Sequence, residues 1–365
     1  MYLNTLTSLR GVAALSVAQL HFLPYYYQNF DVQNAPILSM AFVAVDLFFC
    51  LSGFVLYLNY SRMKSDFNFM QFLQNRVARI FPLHIITAFA MLGMILVTHP
   101  IDQAEIHSTF FLNLLLVHSW GLLDDLVFNV PSWSLSVEWA LYLMFPIFAL
   151  ALIKIRSPYV LIIAIAAMYS LYFVLVKYGL GYDKVRMTYD YGVLRGFVPF
   201  FVGMALVKIH ANLRFSRVNW SYVELLVVLV ALYDVLVWEA SWLLNLCIPF
   251  VVLISLQGNG YICRFLKLYV WEKIGVISLS IYLWHWPLIK ILSGQLGHDF
   301  FGSSFEEALF VNFAYLIVLL LISDLSYKYI EVPSRAYIRG LNLNGLRPTR
   351  RIAGFVSRKR SRGSR

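Results

Sequence analysis

Two ionisable residues share one face of the first apolar segment of the chain. Arg10 and His21 are eleven residues apart, which is three helical turns, so in a helix their side chains point the same way about 16 Å apart along the axis. Ionisable groups in hydrocarbon are costly and are candidates for function. A neutral imidazole can act as a general base on a hydroxyl. The alternative is an arginine that reaches the membrane surface and a histidine satisfied by a neighbouring helix, and both interpretations stay open.

Three further polar residues fall at a similar depth in their own apolar segments, namely Asp46, Glu138 and His285. A carboxylate beside an imidazole orients the ring and completes the minimum set for base catalysis on a hydroxyl. We therefore predict that His21, Glu138 and Asp46 are catalytic. The sequence leaves open whether these segments are neighbours, because the same residues could form separate buried hydrogen-bonded pairs.

An arginine pair opens the third apolar segment. Arg76 and Arg79 are three residues apart and so lie on one face of a helix. Guanidinium groups suit bidentate phosphate binding, so this pair, with Arg10, could hold a phosphorylated cofactor. The plainer interpretation is that these cations only mark the cytoplasmic side of the membrane.

The composition of the chain indicates what kind of scaffold carries these side chains. Of the 365 residues, 60% are hydrophobic and 13% are charged, well outside the range of soluble domains. The apolar residues fall into repeated runs long enough to cross about 30 Å of hydrocarbon as helices. We predict an all-α polytopic integral membrane protein with about ten spans, near residues 10–27, 37–58, 78–98, 134–153, 159–177, 191–209, 221–238, 242–257, 274–292 and 308–329.

Loop charges predict the orientation of these spans. Lysine and arginine concentrate in alternate loops, which places both termini in the cytoplasm and requires that the short apolar stretch Ile106–Trp120 does not cross. The one exception is a predicted outer loop with Lys177, Lys184 and Arg186. We predict two regions, a transmembrane domain over residues 1–333 and a basic cytoplasmic tail over 334–365.

Several function classes find no support in the sequence. The net charge of +10 resides in the tail, with ten cations and no acid, and a basic segment after a membrane helix typically faces lipid rather than nucleic acid. The chain has only three cysteines and no metal-binding or nucleotide-binding motif, so we predict neither a metal site nor a permanently bound cofactor. It has no internal repeat of the kind that many transporters contain.

Six short blocks of this sequence, in order, resemble the acyltransferase family 3 membrane proteins. The first is an Arg-x10-His pattern and the third an Arg-x-x-Arg pair. The blocks are Leu6–Gly11 followed by His21, Asp46–Phe54 (DLFFCLSGF), Arg76–Arg79 (RVAR), Pro131–Glu138 (PSWSLSVE), Ser278–Pro287 (SLSIYLWHWP) and Tyr329–Arg335 (YIEVPSR). Together they make the resemblance specific.

The resemblance implies a bacterial inner-membrane enzyme that moves an acyl group, usually acetyl, from cytosolic acyl-CoA to a hydroxyl of a carbohydrate. Family acceptors include exopolysaccharides, O-antigens and lipochitooligosaccharides. The family gives essential roles to the residues that match His21, Arg10, Arg76 and Arg79 here. Some family members carry an extra periplasmic domain. This sequence shows a basic tail in place of such a domain, so the resemblance implies one of the shorter, stand-alone members.

We therefore predict that acetyl-CoA, or another acyl-CoA, is the donor and that Arg10, Arg76 and Arg79 hold its phosphates. His21 acts as the general base, with a covalent acyl-histidine intermediate as a variant. Trp133, Tyr282 and His285 are the candidate contacts with a carbohydrate or glycolipid acceptor. The alternative function is a transporter or flippase for a lipid-linked glycan, which would use the same buried polar residues for substrate or protons.

Overall fold

Helices form all the regular structure of the described residues. The computed structural model describes residues 2–27, 40–60, 67–98, 103–123, 125–126, 128–183, 185–213, 218–238, 241–257, 260–295 and 305–341. The helices are α1 (Tyr2–Tyr27), α2 (Ala44–Tyr60), α3 (Phe69–Thr98), α4 (Gln103–Leu114), α5 (Trp133–Lys154), α6 (Pro158–Val174), α7 (Gly192–Asn212), α8 (Trp220–Tyr233), α9 (Trp242–Gln257), α10 (Tyr261–Leu266), α11 (Tyr269–Val276), α12 (Ser278–Gln295), α13 (Phe305–Ser326) and α14 (Val332–Gly340).

Seven helical segments of the described chain are long and apolar enough to cross a bilayer. They contain α2, α3, α5, α6, α7, α8 and α13, and an eighth counts if α11 and α12, which meet at a 67° bend, form one span. The predicted all-helical, multi-pass membrane class is therefore confirmed. Of the other two predicted spans, residues 10–27 fall within α1 and residues 242–257 coincide with the shorter apolar helix α9.

The stretch Ile106–Trp120 contains a short helix followed by a turn. Helix α4 has 12 residues and is therefore about 18 Å long, well short of the hydrocarbon thickness. After it the chain turns at Leu116, which is fully buried and has a φ of 57°. The stretch is not among the described helices that are long and apolar enough to cross, and that it does not cross stays a prediction.

The predicted boundary between residues 333 and 334 falls inside a helix. Residues 327–331 continue helically from α13 into α14, which extends to Gly340. The first residues of the predicted tail are thus part of the helical bundle. Residues 342–365 of that tail lie outside the described residues.

Glycines allow α2 and α7 to pack backbone against backbone. A Cβ atom on Gly53 would lie 2.0 Å from the Phe200 carbonyl oxygen, and one on Gly203 would lie 1.9 Å from the Cys50 carbonyl oxygen. Small residues at such crossings bring helices together where lipid supplies no hydrophobic driving force. Because α7 also packs on α5 and α6, this contact joins α2, which lines the site below, to the central helices.

Gly203→Ala should destabilise the protein, because the added methyl group would overlap a backbone atom that cannot rotate away. We expect a loss of about 1–3 kcal/mol, the usual cost of overpacking, measured as a lower unfolding temperature in detergent. Gly93→Ala on α3 is the matched control, since a Cβ there meets no atom within 4 Å and alanine favours helix. Equal unfolding temperatures for the two variants would contradict this account of the crossing.

A second pair of glycines brings α1 against α11. A Cβ on Gly11 would lie 2.6 Å from the Gly275 nitrogen, and one on Gly275 would lie 2.0 Å from the Thr7 carbonyl oxygen. Helix α1 also packs along α12. The two helices that carry His21 and His285 are therefore held together at the end where Arg10 and Ser278 lie.

Candidate active site

A cavity lies between α1, α2, α3, α5 and the start of α12. The empty space within it is about 650 Å³, open solvent at its mouth included. Its wall combines seven apolar side chains with four ionisable residues, three serines and two tyrosines. Its lining residues are Arg10, Phe48, Phe49, Leu51, Ser52, Val55, Leu56, Arg76, Arg79, Ser134, Leu135, Glu138, Tyr142, Ser278, Leu279 and Tyr282.

The structure brings all three predicted cofactor-binding arginines to this cavity. Arg10 comes from α1, whereas Arg76 and Arg79 come from the first turns of α3. Arg10 is close enough to Arg79 for the two charges to interact. The guanidinium of Arg76 lies 5.7 Å from the ring centroid of Tyr142, and its Nε is buried without a hydrogen-bond partner in the described chain. Three cations around one space are suited to an anionic ligand.

Glu138 lies among these arginines. Ser52 Oγ donates to Glu138 Oε1 at 2.6 Å, and Tyr142 Oη donates to the same oxygen at 2.5 Å. We predicted Glu138 at the depth of His21, counting from a span that starts at the outer surface. The cavity lining places Glu138, the sixth residue of α5, with Arg10 rather than with His21, and its depth in the membrane stays a prediction.

His21 and His285 form a second centre. His285 Nε2 lies 3.1 Å from His21 Nδ1, and the two rings stack with centroids 5.1 Å apart. His21 Nδ1 is also 3.1 Å from the Val17 carbonyl oxygen, which can only accept. The tautomer that satisfies this carbonyl has its proton on Nδ1 and its lone pair on Nε2. A lone pair on Nε2 is what a general base needs.

Tyr282 joins the cavity to the histidine pair. Its side chain lines the cavity, and its ring centroid lies 5.7 Å from that of His285, one turn further along α12. Its hydroxyl is fixed by the Ser134 hydroxyl at 2.7 Å and the Pro131 carbonyl oxygen at 3.0 Å. Helix α12 therefore leads from the cavity at Ser278 to His285, as α1 leads from Arg10 to His21.

Asp46 belongs neither to the cavity lining nor to the histidine pair. Both of its carboxylate oxygens accept from Arg195, at 2.8 and 2.9 Å, and both side chains are almost completely buried. Arg195 also donates to the carbonyl oxygens of Met187 and Phe42. The structure thus pairs Asp46 with an arginine that we did not single out, whereas His21 bonds Val17 and His285.

Trp133 contacts this ion pair. The Arg195 guanidinium lies 5.1 Å from the centre of its ring, the edge of Phe49 approaches it, and its exposed fraction is 6%. A sugar could stack on it only after displacing these neighbours. Stacking of an acceptor on Trp133 stays a prediction that this conformation does not favour.

Sequence reasoning missed three residues of the site. Ser52 and Tyr142 hold Glu138. Ser52 lies within the second matched block, and Tyr142 lies one helical turn after Glu138, the last residue of the fourth block. Trp286 touches His21 edge-on, with centroids 5.3 Å apart, and its indole Nε1 is buried without a described partner. Across the described residues, no group of three or more His, Cys, Asp or Glu side chains could hold a metal ion.

Known proteins resemble the chain over most of its length. O-acetyltransferase OatA of Staphylococcus aureus is 24% identical over 92% of this chain and 57% of its own length. The putative peptidoglycan O-acetyltransferase YrhL of Bacillus subtilis is 23% identical over 92% of this chain and 55% of its own. Acyltransferase MdmB of Streptomyces mycarofaciens is 37% identical over 40% of this chain and 38% of its own. The chain thus covers 57% or less of the length of each of these relatives. No solved structure matches it.

The family model described as an acyltransferase domain, acyltransferase 3, matches residues 3–328. That range contains Arg10, His21, Arg76, Arg79 and His285, the residues of the two centres. The resemblance seen in the six sequence blocks is confirmed, and the chain belongs to the acyltransferase 3 family.

Proposed function

We propose that this protein is a membrane O-acyltransferase that moves an acyl group, most simply acetyl, from cytosolic acyl-CoA to a hydroxyl of a carbohydrate. One observation carries the proposal: a cavity with three arginines is connected, through Tyr282, to a pair of stacked histidines. An anionic donor and a basic catalyst would thereby occupy neighbouring places on the two sides of Tyr282.

The arginine cavity is suited to the phosphates of coenzyme A. Arg10, Arg76 and Arg79 exceed the single lining carboxylate, Glu138, by two charges, and arginine forks match phosphate oxygens. In this proposal the phosphates stay among the arginines and the extended pantetheine arm follows α12 past Tyr282. The thioester then reaches the space beside His21, about 16 Å along α1 from Arg10.

At His21 the reaction is a proton transfer coupled to acyl transfer. Nε2 takes the proton of the acceptor hydroxyl while its oxygen attacks the thioester carbonyl. The carbon–sulfur bond then breaks, the CoA thiolate leaves, and it receives the proton from the imidazolium. His285 positions His21 through the Nδ1–Nε2 contact. The variant pathway passes through an acyl-histidine at the same nitrogen.

The proposed acceptor is a carbohydrate polymer or glycolipid. Two relatives are named as O-acetyltransferases, one of them for peptidoglycan. Peptidoglycan therefore joins exopolysaccharide, O-antigen and lipochitooligosaccharide as the acceptor classes to be tested. Their shared chemistry is a sugar hydroxyl presented at the outer end of the passage.

The proposal includes a membrane topology for the chain. We infer ten crossings of the bacterial plasma membrane, with α1, α9 and the bent α11–α12 pair added to the seven segments above. Both termini are then cytoplasmic, which puts Arg76 and Arg79 at the cytosolic entrance and His21 nearer the outer surface.

A transfer assay tests this function. The full chain in nanodiscs is given acetyl-CoA labelled in the acetyl group together with each acceptor class in turn. We expect release of free CoA and one acetyl group, about 42 Da by elementary mass balance, on the acceptor. Movement of a lipid-linked glycan across proteoliposomes without loss of acetyl-CoA would instead support a flippase and contradict the proposal.

A further inference from the structure

Helix α14 carries two arginines whose charges interact with those of Arg76 and Arg79. Gln74, in the first turns of α3, donates from its amide to the carbonyl oxygens of Ile338 at 2.6 Å and Leu341 at 2.7 Å. These bonds hold the end of α14 against α3 just before Arg76. Arg335 and Arg339 are four residues apart on α14 and so share one face of the helix.

Arg335 and Arg339 form one cluster of positive charge with the three cavity arginines. Arg335 interacts with the charges of Arg76 and Arg79, and Arg339 interacts with the charges of Arg335, Arg76 and Arg79. Glu138 and Glu331 are carboxylates that interact with Arg10, and Glu331 also interacts with Arg335. Five guanidinium groups against two carboxylates leave an excess of three positive charges, which an isolated protein stabilises poorly and a polyanionic ligand would balance.

Unused hydrogen-bond donors point to a ligand as well. Arg335 donates to Glu331 at 3.0 Å, whose other oxygen accepts from Ser280. The Nε atoms of Arg335 and Arg76 are nevertheless buried without a partner among the described residues. Buried donors in proteins are nearly always satisfied, so these two are suited to anionic oxygens that enter the cluster.

We propose that Arg335 and Arg339 bind a phosphate at the mouth of the arginine cavity, and that this phosphate is the terminal 3′-phosphate of the acyl-CoA donor. Arg339 is exposed and Arg335 is one quarter exposed, whereas Arg10, Arg76 and Arg79 line the cavity itself. The more exposed pair therefore meets the part of the donor furthest from the thioester. This step rests on the proposed function, because it takes acyl-CoA as the donor.

Binding of CoA and of 3′-dephospho-CoA to the full chain in phosphatidylcholine nanodiscs separates the contribution of the 3′-phosphate to affinity from that of the rest of the molecule. The wild type should bind CoA at least about tenfold more tightly than dephospho-CoA, since charge-assisted bonds are the strong ones. In R335Q/R339Q the affinity for CoA should fall about tenfold while that for dephospho-CoA is nearly unchanged. The single variant R339Q, at an exposed position, should show part of the same loss and guards against misfolding of the double variant.

Lys328→Gln is the matched control. Lys328 is an exposed cation on the same helical segment, paired with Asp324, and its removal should change neither affinity. Equal losses for CoA and dephospho-CoA in R339Q, or no loss for either, would overturn the assignment. Co-purification of phosphatidylglycerol that R335Q/R339Q abolishes, with CoA discrimination intact, would assign the pair to a lipid headgroup and would also overturn it.

The outcomes distinguish this inference from the proposed function. If the wild type binds neither CoA nor dephospho-CoA, the proposed donor is wrong. If it binds both with equal affinity, the donor stands and only the role of Arg335 and Arg339 fails.

Discussion

Acyl transfer by His21→Ala should be about 10²- to 10⁴-fold slower than that by the wild type, the usual contribution of a general base. The variant should still bind CoA, because the arginine cavity is about three helical turns away along α1. The measurement is the rate of labelled acetyl transfer at matched protein levels in nanodiscs, with CoA affinity determined on the same samples.

Gln19→Ala is a suitable control for His21→Ala. Gln19 is also a half-buried polar residue of α1, but its amide pairs with that of Asn312 on α13. We expect that variant to lose some stability and keep its catalytic rate. Wild-type transfer by His21→Ala would contradict the assignment of the base, whatever the behaviour of the control.

A quench experiment separates the two catalytic pathways at His21. Mixing the protein with labelled acetyl-CoA in the absence of acceptor should leave label on the wild-type chain only if an acyl-histidine forms. Direct transfer predicts no labelled chain.

Asp46→Ala should prevent normal folding, because Arg195 would be left charged and buried. Removing one partner of a buried ion pair costs about 3–5 kcal/mol, and here both side chains are almost fully inaccessible. The measurement is the yield of monodisperse protein in detergent and its unfolding temperature. Normal yield with an unchanged unfolding temperature would contradict this structural role.

The double variant Asp46→Leu/Arg195→Met decides between a structural and a catalytic role for Asp46. Replacing a whole buried pair with apolar residues is often neutral, so folding should recover relative to Asp46→Ala. If Asp46 acts only through Arg195, acyl transfer recovers as well. A well-folded double variant without activity would restore our initial prediction that Asp46 takes part in catalysis.

The sequence predicted the scaffold and the arginine site well, for physical reasons. Long apolar runs can only be helices in lipid, so the helical class followed from composition. Arg10, Arg76 and Arg79 lie within the first eleven residues of α1 and α3, and loop charges assigned the starts of both helices to the same side of the membrane. These three were brought together as expected.

The carboxylates were harder to place, because their partners depend on packing between distant segments. Nothing near Asp46 in the sequence indicates Arg195, which is 149 residues away. Glu138 was assigned a depth from the start of its span, but the cavity lining places it with Arg10. Hydropathy reports the length of a helix and not its displacement along the membrane normal, so the contacts of mid-span polar residues could not be predicted.

The histidine pair was predicted only in part. His21 and His285 were both singled out as ionisable groups within apolar segments, but their direct contact depends on the close approach of α1 and the bent α11–α12 pair at Gly11 and Gly275. A glycine in a helix indicates a close contact without naming the partner.

The central claim is that one passage joins the arginine cavity to His21. A structure of the full chain in nanodiscs with an unreactive thioether analogue of acetyl-CoA tests it most directly. We predict phosphates on Arg76 and Arg79, a pantetheine arm beside Tyr282, and the sulfur atom within contact distance of His21. An analogue whose sulfur lies in the cavity on the far side of Tyr282, or whose phosphates bind away from the arginines, would contradict the account.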